Sequence, residues 1–366
     1  MKILIVCNFT SGLYNFRGML IKELVKKGYD LHVIIPYTQD ENELEFEKKV
    51  EKLHCHLIRV TMERRGMNPI KDLSLMKDYY RIIKDLKPDH VITYTIKPNV
   101  YAGLVCQKLN IPYSANITGL GTAFQNDGML KKLVTFLYKK AFKKCHIVLF
   151  ENTVNRDTMI NLGIISKDKT YVLNGAGVDL EKFEYAPYPH NDVFRFLFIG
   201  RVMREKGIDE LFSVMKRLNK EGYSCLLDIV GGYEEDYSET ITQYQKEGWL
   251  QYDGYQKDVR PFIKQADCFV LPSWHEGMAN TNLECAATGR PLITSSIPGC
   301  REAVDDGVTG YLTEVKNPDD LYEKMKKMLH LTSIDREEMG RHGRSKMERE
   351  FDKKQVVKET INALEL

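Results

Sequence analysis

Little in this sequence stands in excess. Of its 366 residues only 2 are tryptophan and 12 proline, and the formal net charge is +2. A chain so close to neutrality lacks the basic surplus that a polyanion partner requires, so no nucleic-acid partner is expected. No apolar run approaches the ~18 residues needed to cross a bilayer, and the opening stretch Met1–Cys7 is too short for a signal peptide. The eight cysteines, Cys7, Cys55, Cys106, Cys145, Cys225, Cys268, Cys285 and Cys300, stand singly with no Cys-x-x-Cys pair. That argues against a disulfide framework or a thiolate zinc site and for reduced thiols packed in the core of a cytosolic protein. No sequence repeat or low-complexity tract is visible. No G-x-G-x-x-G follows the first apolar run, which weighs against a nicotinamide-dependent oxidoreductase.

What the chain does have is alternation. Short β-branched runs at 2–7, 31–36, 54–60, 90–95, 112–118, 146–152 and 169–175 are separated by helical patterns. Leu20, Ile21, Leu24 and Val25 share one helical face before Gly28, and Ile70, Leu73, Met76, Tyr80 and Ile83 trace another. After the proline-containing stretch Tyr185–Asp192 the alternation restarts, with strands expected at 194–199, 225–230, 250–255, 268–272, 291–296 and 311–314. Helices are expected at 207–220, 258–265, 278–288 and 317–330. This order implies parallel, doubly wound α/β sheets. At 366 residues there is chain enough for two such domains. They are placed at 1–185 and 193–350, with 351–366 as a C-terminal helix that packs back on the first. The charge divides with them: +8 over residues 1–185 and −6 over the remainder.

Ligands in such sheets bind beyond the carboxyl ends of the strands. Four segments of the second half fall there. In Gly200-Arg201-Val202-Met203-Arg204-Glu205-Lys206-Gly207 a strand ends in glycine and two cations precede a helix, an arrangement suited to a diphosphate or equally to a solvated turn. Asp228-Ile229-Val230-Gly231-Gly232 allows close backbone approach. Pro272-Ser273-Trp274-His275-Glu276-Gly277-Met278-Ala279 presents Glu276 at a helix mouth, with Glu284 about two turns further on. Two carboxylates can be a hydrolase's acid and base, but these two differ in setting, and a pair built for donor recognition fits better. Asp305-Asp306, beside Gly307 and Gly310, reads as a surface turn before it reads as a metal site.

Taken together these segments resemble the large retaining family-four, or group 1, glycosyltransferases of GT-B fold: two Rossmann-like domains facing across a cleft. Glu276 and Glu284 match the E-x7-E motif, Gly200-Arg201 with Lys206-Gly207 the diphosphate segment, and Gly299, Glu302, Gly307 and Gly310 the trailing pattern. The resemblance implies a UDP-sugar donor and no metal. Arg201 and Lys206 would neutralise the leaving diphosphate, Glu276 hold donor-sugar hydroxyls and Glu284 the ribose. Backbone amides of Gly277, Met278 and Ala279 would meet sugar and phosphate.

In the first half, Asn8 to Arg17 supplies a glycine-containing loop in which Gly12 would face the substrates and Arg17 an acceptor phosphate. Asn116 to Phe124 occupies the place where many relatives carry a histidine. Here Asn116 and Thr118 stand as substitutes. The Tyr14-Asn15-Phe16-Arg17 and Gly119-Leu120-Gly121 stretches are similar to bacterial enzymes that extend polyprenyl-diphosphate-linked sugars, N-acetylgalactosaminyltransferases among them.

The expectation is therefore transfer of a hexose or N-acetylhexosamine from a UDP-sugar to a lipid-linked glycan in surface polysaccharide or glycoprotein assembly. A UDP-sugar 2-epimerase of the same fold, or a non-catalytic sugar-nucleotide-binding protein, is the alternative. Such an acceptor implies peripheral contact with the anionic inner face of the cell membrane. Residues 129–144 suit that contact. Leu130, Leu133, Val134, Leu137, Tyr138 and Ala141 form one stripe, and Lys131, Lys132, Lys139, Lys140, Lys143 and Lys144 lie mostly elsewhere. The competing reading packs the stripe on the domain's own sheet and leaves the lysines solvated.

Overall fold

A computed structural model describes every residue except 64–67, 122, 123 and 125–127. Thr122 and Ala123 of the expected glycine-rich segment thus lie outside the described residues. The chain forms two compact units, one of residues Met1–Ala176 with Lys354–Leu366, the other of Gly177–Lys353. The division falls at Ala176–Gly177, ahead of the proline-containing stretch at 185–192. Arg290 accounts for the difference. Its buried guanidinium donates to the carbonyls of Ala186 and Pro187 (2.8 Å for Pro187) and so fastens that stretch to the second unit.

In the first unit seven strands run parallel: β1 (Lys2–Val6), β2 (Asp30–Pro36), β3 (His56–Val60), β4 (His90–Tyr94), β5 (Tyr113–Ile117), β6 (Val148–Phe150) and β7 (Thr170–Val172). They are ordered β3-β2-β1-β4-β5-β6-β7. The second unit holds β8 (Phe194–Ile199), β9 (Cys225–Val230), β10 (Leu250–Gly254), β11 (Cys268–Leu271), β12 (Leu292–Ser295) and β13 (Gly310–Thr313), ordered β10-β9-β8-β11-β12-β13. Helices on both faces leave the central strands no solvated side, which is why Ile3-Leu4-Ile5-Val6 and Phe196-Leu197-Phe198 read as unbroken apolar runs rather than alternations. Both sheets are doubly wound, as the alternation of strand and helix implies. The order reverses between β1 and β4, and again between β8 and β11, marking the two places where such sheets receive ligands.

The last helix, Lys353–Ala363, packs on the first unit. Val356, Val357, Ile361 and Leu364 join Ile3, Ile5, Leu31 and Val33 in one buried cluster. The chain leaves and re-enters at neighbouring points. Val178 donates to Phe351 O (2.8 Å), Lys353 donates to Val178 O (3.0 Å), and a side chain at Gly177 (φ 66°) would meet the Lys353 Cα at 2.7 Å.

Two helices turn differently from the expected stripes. In Pro69–Leu86 the buried face is Asp72, Leu75, Tyr79 and Ile83, while Ile70 is 81% exposed and Leu73 also faces water. Asp72 sets the rotation: it accepts from Lys97 Nζ and from Tyr101 OH, each at 2.9 Å, on the adjoining Ile96–Leu109 helix. In Met129–Ala141 only Val134, Tyr138 and Ala141 of the stripe are buried. Leu130 and Leu133 join Met129 (87% exposed) and Phe136 (55%) on the outside, beside exposed Lys132, Lys139, Lys140, Lys143 and Lys144. Leu137 packs against the same core, so four residues of the stripe face inward and two, Leu130 and Leu133, do not.

Replacing Ile361 by alanine removes a buried side chain from the cluster over β1 and β2, at an expected loss of about 2–4 kcal/mol. Both tryptophans lie in the second unit, so hydrogen exchange is the suitable measurement. Amides of β1 and β2 should exchange faster in the variant and those of β8 and β9 should not.

Candidate functional site

The second unit gathers its motif residues at the β8/β11 reversal through contacts that only glycine permits. A side chain on Gly231 would overlap the carbonyl of Gly200. One on Gly207 (φ 72°) would overlap that of Pro272, and one on Gly299 (φ 85°) would lie 2.5 Å from the Gly277 oxygen. The backbones after β8, β9, β11 and β12 therefore touch. Hydrogen bonds then join the loop after β11 to the turn before the Ile208–Lys220 helix. Trp274 N donates to Glu205 O (2.9 Å), Trp274 Nε1 to Glu210 (3.0 Å), and His275 Nε2 lies 3.2 Å from the Glu205 carboxylate.

Within that frame Lys206 Nζ donates to the Glu276 carboxylate, and the Ser273 hydroxyl donates to the same oxygen at 2.9 Å. Both charged side chains are mostly buried. Arg201 is more exposed and pairs with Glu234 at 3.0 Å. Glu284 sits on the following helix, Asn280–Ala287, and among the described residues no cation pairs with it as Lys206 does with Glu276. Burial pushes its carboxyl up to about 7, against the pull of Lys182 and Lys353. The helix begins at Asn280, later than expected, because the Ala279 amide donates to Gly299 O (2.7 Å). That amide is therefore engaged within the protein, and Gly277 and Met278 precede the helix rather than open it. Ser273, Glu205, Glu210 and Glu234 carried no motif signal. Only Ser273, directly after Pro272 at a strand end, could have been suspected.

Asp305 and Asp306 behave as turn residues. Asp305 bonds Lys346 Nζ (2.8 Å), and Asp306 accepts from Leu312 N (2.8 Å).

In the first unit Tyr94 and Asn116 are register partners at the ends of β4 and β5, and Glu151 follows β6. Arg17 reaches this spot from a helical turn after β1. It donates to Glu151 at 2.5 Å, with both side chains buried, and its guanidinium lies 5.0 Å from the Tyr94 ring centre. Arg17 is thus already neutralised by a carboxylate that sequence reasoning did not single out. Burial raises the Glu151 carboxyl, opposed by Arg17. Gly12 is buried, and its missing side chain makes room for the Phe9 ring, so the structure gives this glycine a packing reason.

Polar atoms remain unpaired around the same strand ends: Asn8 Oδ1, Tyr94 OH, Thr95 Oγ1 and both amide atoms of Asn116 are buried without hydrogen-bond partners among the described residues. Thr95 also holds a left-handed φ of 72°, rare for a β-branched residue. Thr118 lies one residue beyond β5 and is half-buried.

Two family models match, one in each unit. "Glycosyl transferase 4-like" spans residues 2–152 and "Glycosyl transferases group 1" spans residues 183–346. The chain belongs to the group 1 glycosyltransferases. It is an enzyme of that class, with the GT-B fold.

Among curated proteins it is 29% identical over 346 residues, 90% of this chain and 89% of the other, to the N,N'-diacetylbacillosaminyl-diphospho-undecaprenol alpha-1,3-N-acetylgalactosaminyltransferase of Campylobacter jejuni. It is 26% identical over 275 residues, 70% of each chain, to the UDP-Gal:alpha-D-GlcNAc-diphosphoundecaprenol alpha-1,3-galactosyltransferase of Escherichia coli. The Anabaena HepE structure, in complex with UDP, superposes with a TM-score of 0.80 at 15% identity over the full length of both chains.

If Arg17 serves mainly to neutralise Glu151, Arg17→Ala should destabilise the first unit by about 3–5 kcal/mol, as loss of one partner of a buried pair does. The double variant Arg17→Met/Glu151→Leu should recover most of that loss. Urea unfolding followed by circular dichroism reads both. Unchanged stability in Arg17→Ala, with a raised acceptor KM, would instead return Arg17 to the acceptor.

Proposed function

We propose that this glycosyltransferase is a retaining, metal-independent enzyme that moves a hexose or N-acetylhexosamine from a UDP-sugar to a polyprenyl-diphosphate-linked glycan. The names of the Campylobacter and Escherichia relatives support such an acceptor, and that of the latter a UDP-sugar. The observation that carries the reading is the Lys206–Glu276 pair at the β8/β11 reversal, with Glu284 on the helix beyond it. Lys206 exchanges its carboxylate partner for the donor's diphosphate and, with Arg201, stabilises the negative charge that grows there as the glycosidic bond breaks. Glu276, released from Lys206, accepts from donor-sugar hydroxyls. Glu284 accepts from the ribose hydroxyls, and the Gly277 and Met278 backbone lies against sugar and phosphate. The acceptor oxygen bonds the anomeric carbon on the face the diphosphate leaves, and its proton passes to a departing phosphate oxygen. The acceptor is held by the first unit, where Asn116, Thr118, Tyr94 and Thr95 supply hydrogen-bonding groups.

Activity should survive EDTA, and Lys206→Ala should lower turnover at least ~100-fold, as loss of a preorganised donor does. Arg201→Ala should lower turnover similarly. Radiolabelled sugar transfer to a lipid-diphosphate acceptor measures all three. Abolition by EDTA, full activity in both variants, or UDP release independent of acceptor overturns the reading.

The Glu284 role carries its own pH signature. Ribose hydroxyls donate to the ionised carboxylate, so binding favours the deprotonated form. With the carboxyl raised to about 7, UDP affinity should fall as pH drops below 7, by at most about tenfold per pH unit. Glu284→Gln should weaken UDP and flatten that slope, whereas Glu276→Ala should retain UDP binding and blur choice among donor sugars. Calorimetry with UDP from pH 5.5 to 8 separates the two.

No helix among the described residues is long and apolar enough to cross a membrane. We infer peripheral attachment to the anionic cytoplasmic leaflet through the outward face of Met129–Ala141. Its exposed Met129, Leu130, Leu133 and Phe136, bordered by lysines, are suited to the interface, at about 1 kcal/mol per basic residue near the surface. Changing Lys139, Lys140, Lys143 and Lys144 to Gln should lower binding to vesicles containing phosphatidylglycerol at least tenfold and leave UDP affinity unchanged. Equal sedimentation of variant and parent at low salt would refute the patch.

A further inference from the structure

The end of the first sheet opposite the polar strand ends carries a second cluster of chemistry-bearing side chains. Asp30 opens β2 and His56 opens β3. His32 lies two residues after Asp30, on the same face of the strand, and is the register partner of His56. The two imidazoles stack, with ring centres 4.7 Å apart and planes 26° from parallel. Asp30 Oδ1 is 3.0 Å from His32 Nε2 and 3.6 Å from His56 Nε2, and the three donor atoms all fall within 4.8 Å of one another. His32 Nε2 is buried and, despite the nearby carboxylate, makes no hydrogen bond. Two ring nitrogens and a carboxylate oxygen thus lie within one small volume.

The geometry points to a divalent transition-metal site of two histidines and one aspartate at the edge of the first sheet. Zinc bound at about 2.0–2.2 Å to nitrogen and oxygen holds its ligands roughly 3.4 Å apart, against 3.0 and 3.6 Å from the carboxylate oxygen to the two ring nitrogens. To complete the set the exposed His56 ring turns out of its stack with His32, so that both nitrogen lone pairs face the ion. Two imidazoles favour zinc, cobalt, nickel or copper over magnesium or calcium, which prefer all-oxygen ligation. Water fills the remaining positions. Because β3 is the outermost strand, the ion clamps the sheet edge to β2. Within the first sheet it lies at the opposite strand ends from the residues assigned to the acceptor, so it is a structural ligand with no part in transfer. The inference stands independently of the proposed substrates.

Cobalt and zinc alone are the probes, used on the full chain. Cobalt should bind one equivalent with visible absorption of tetrahedral or five-coordinate intensity, and zinc should displace it. Zinc should also raise the melting temperature by about 3 °C at tenfold excess over its dissociation constant. His56→Gln, at an exposed position, should fold normally and weaken zinc at least tenfold, and Asp30→Asn should weaken it as well. His54→Gln, two residues from His56 and outside the cluster, should not. Transfer rates should be equal with and without zinc. No saturable zinc binding below about 100 µM, or equal affinity in His56→Gln and the parent, overturns the site.

Discussion

The second unit depends on backbone contact closer than any side chain allows. Gly207 against Pro272, Gly231 against Gly200 and Gly299 against Gly277 bring four strand ends into touch, and the Lys206–Glu276 pair exists because those loops cannot stand further apart. An ammonium and a carboxylate in so enclosed a place are costly to desolvate separately, and each makes the other tolerable. Under the proposed function a donor diphosphate takes over the ammonium, and sugar hydroxyls hydrogen-bond the carboxylate it displaces.

The first unit solves a related problem differently. Its buried cation, Arg17, is closed off by Glu151, and what is left without a partner among the described residues is neutral: two amides, a hydroxyl and a phenol around β1, β4 and β5. Buried polar groups without partners are expensive, and their concentration at the strand-order reversal is consistent with the acceptor-binding role proposed for this end of the sheet. A neutral, hydrogen-bonding surface suits sugar hydroxyls better than it suits a phosphate.

Much of this was legible in sequence. Parallel strands buried on both faces write themselves as apolar runs, and the expected runs fall on the observed strands from β1 to β13. The E-x7-E spacing and Gly200-Arg201 with Lys206-Gly207 marked the β8/β11 reversal before the sheet order was known. Three kinds of feature left no such mark. The rotation of Pro69–Leu86 follows from Asp72 meeting Lys97 and Tyr101, partners more than twenty residues away. The Glu151 partner of Arg17 lies further still along the chain. The Ala279 amide is engaged by Gly299 across a loop. Each depends on a long-range partner, and periodicity reports only local neighbours.

The path of the chain has a consequence for synthesis. The whole of Gly177–Lys353 is inserted between the first 176 residues and the helix that covers Ile3, Ile5, Leu31 and Val33. On the ribosome the first sheet therefore waits with one apolar face incomplete until residues 354–366 have emerged. The second unit, contiguous in sequence, has everything it needs earlier. Loss of residues 354–366 injures the amino-terminal half, and nascent chains halted before that helix are the ones that chaperones should hold.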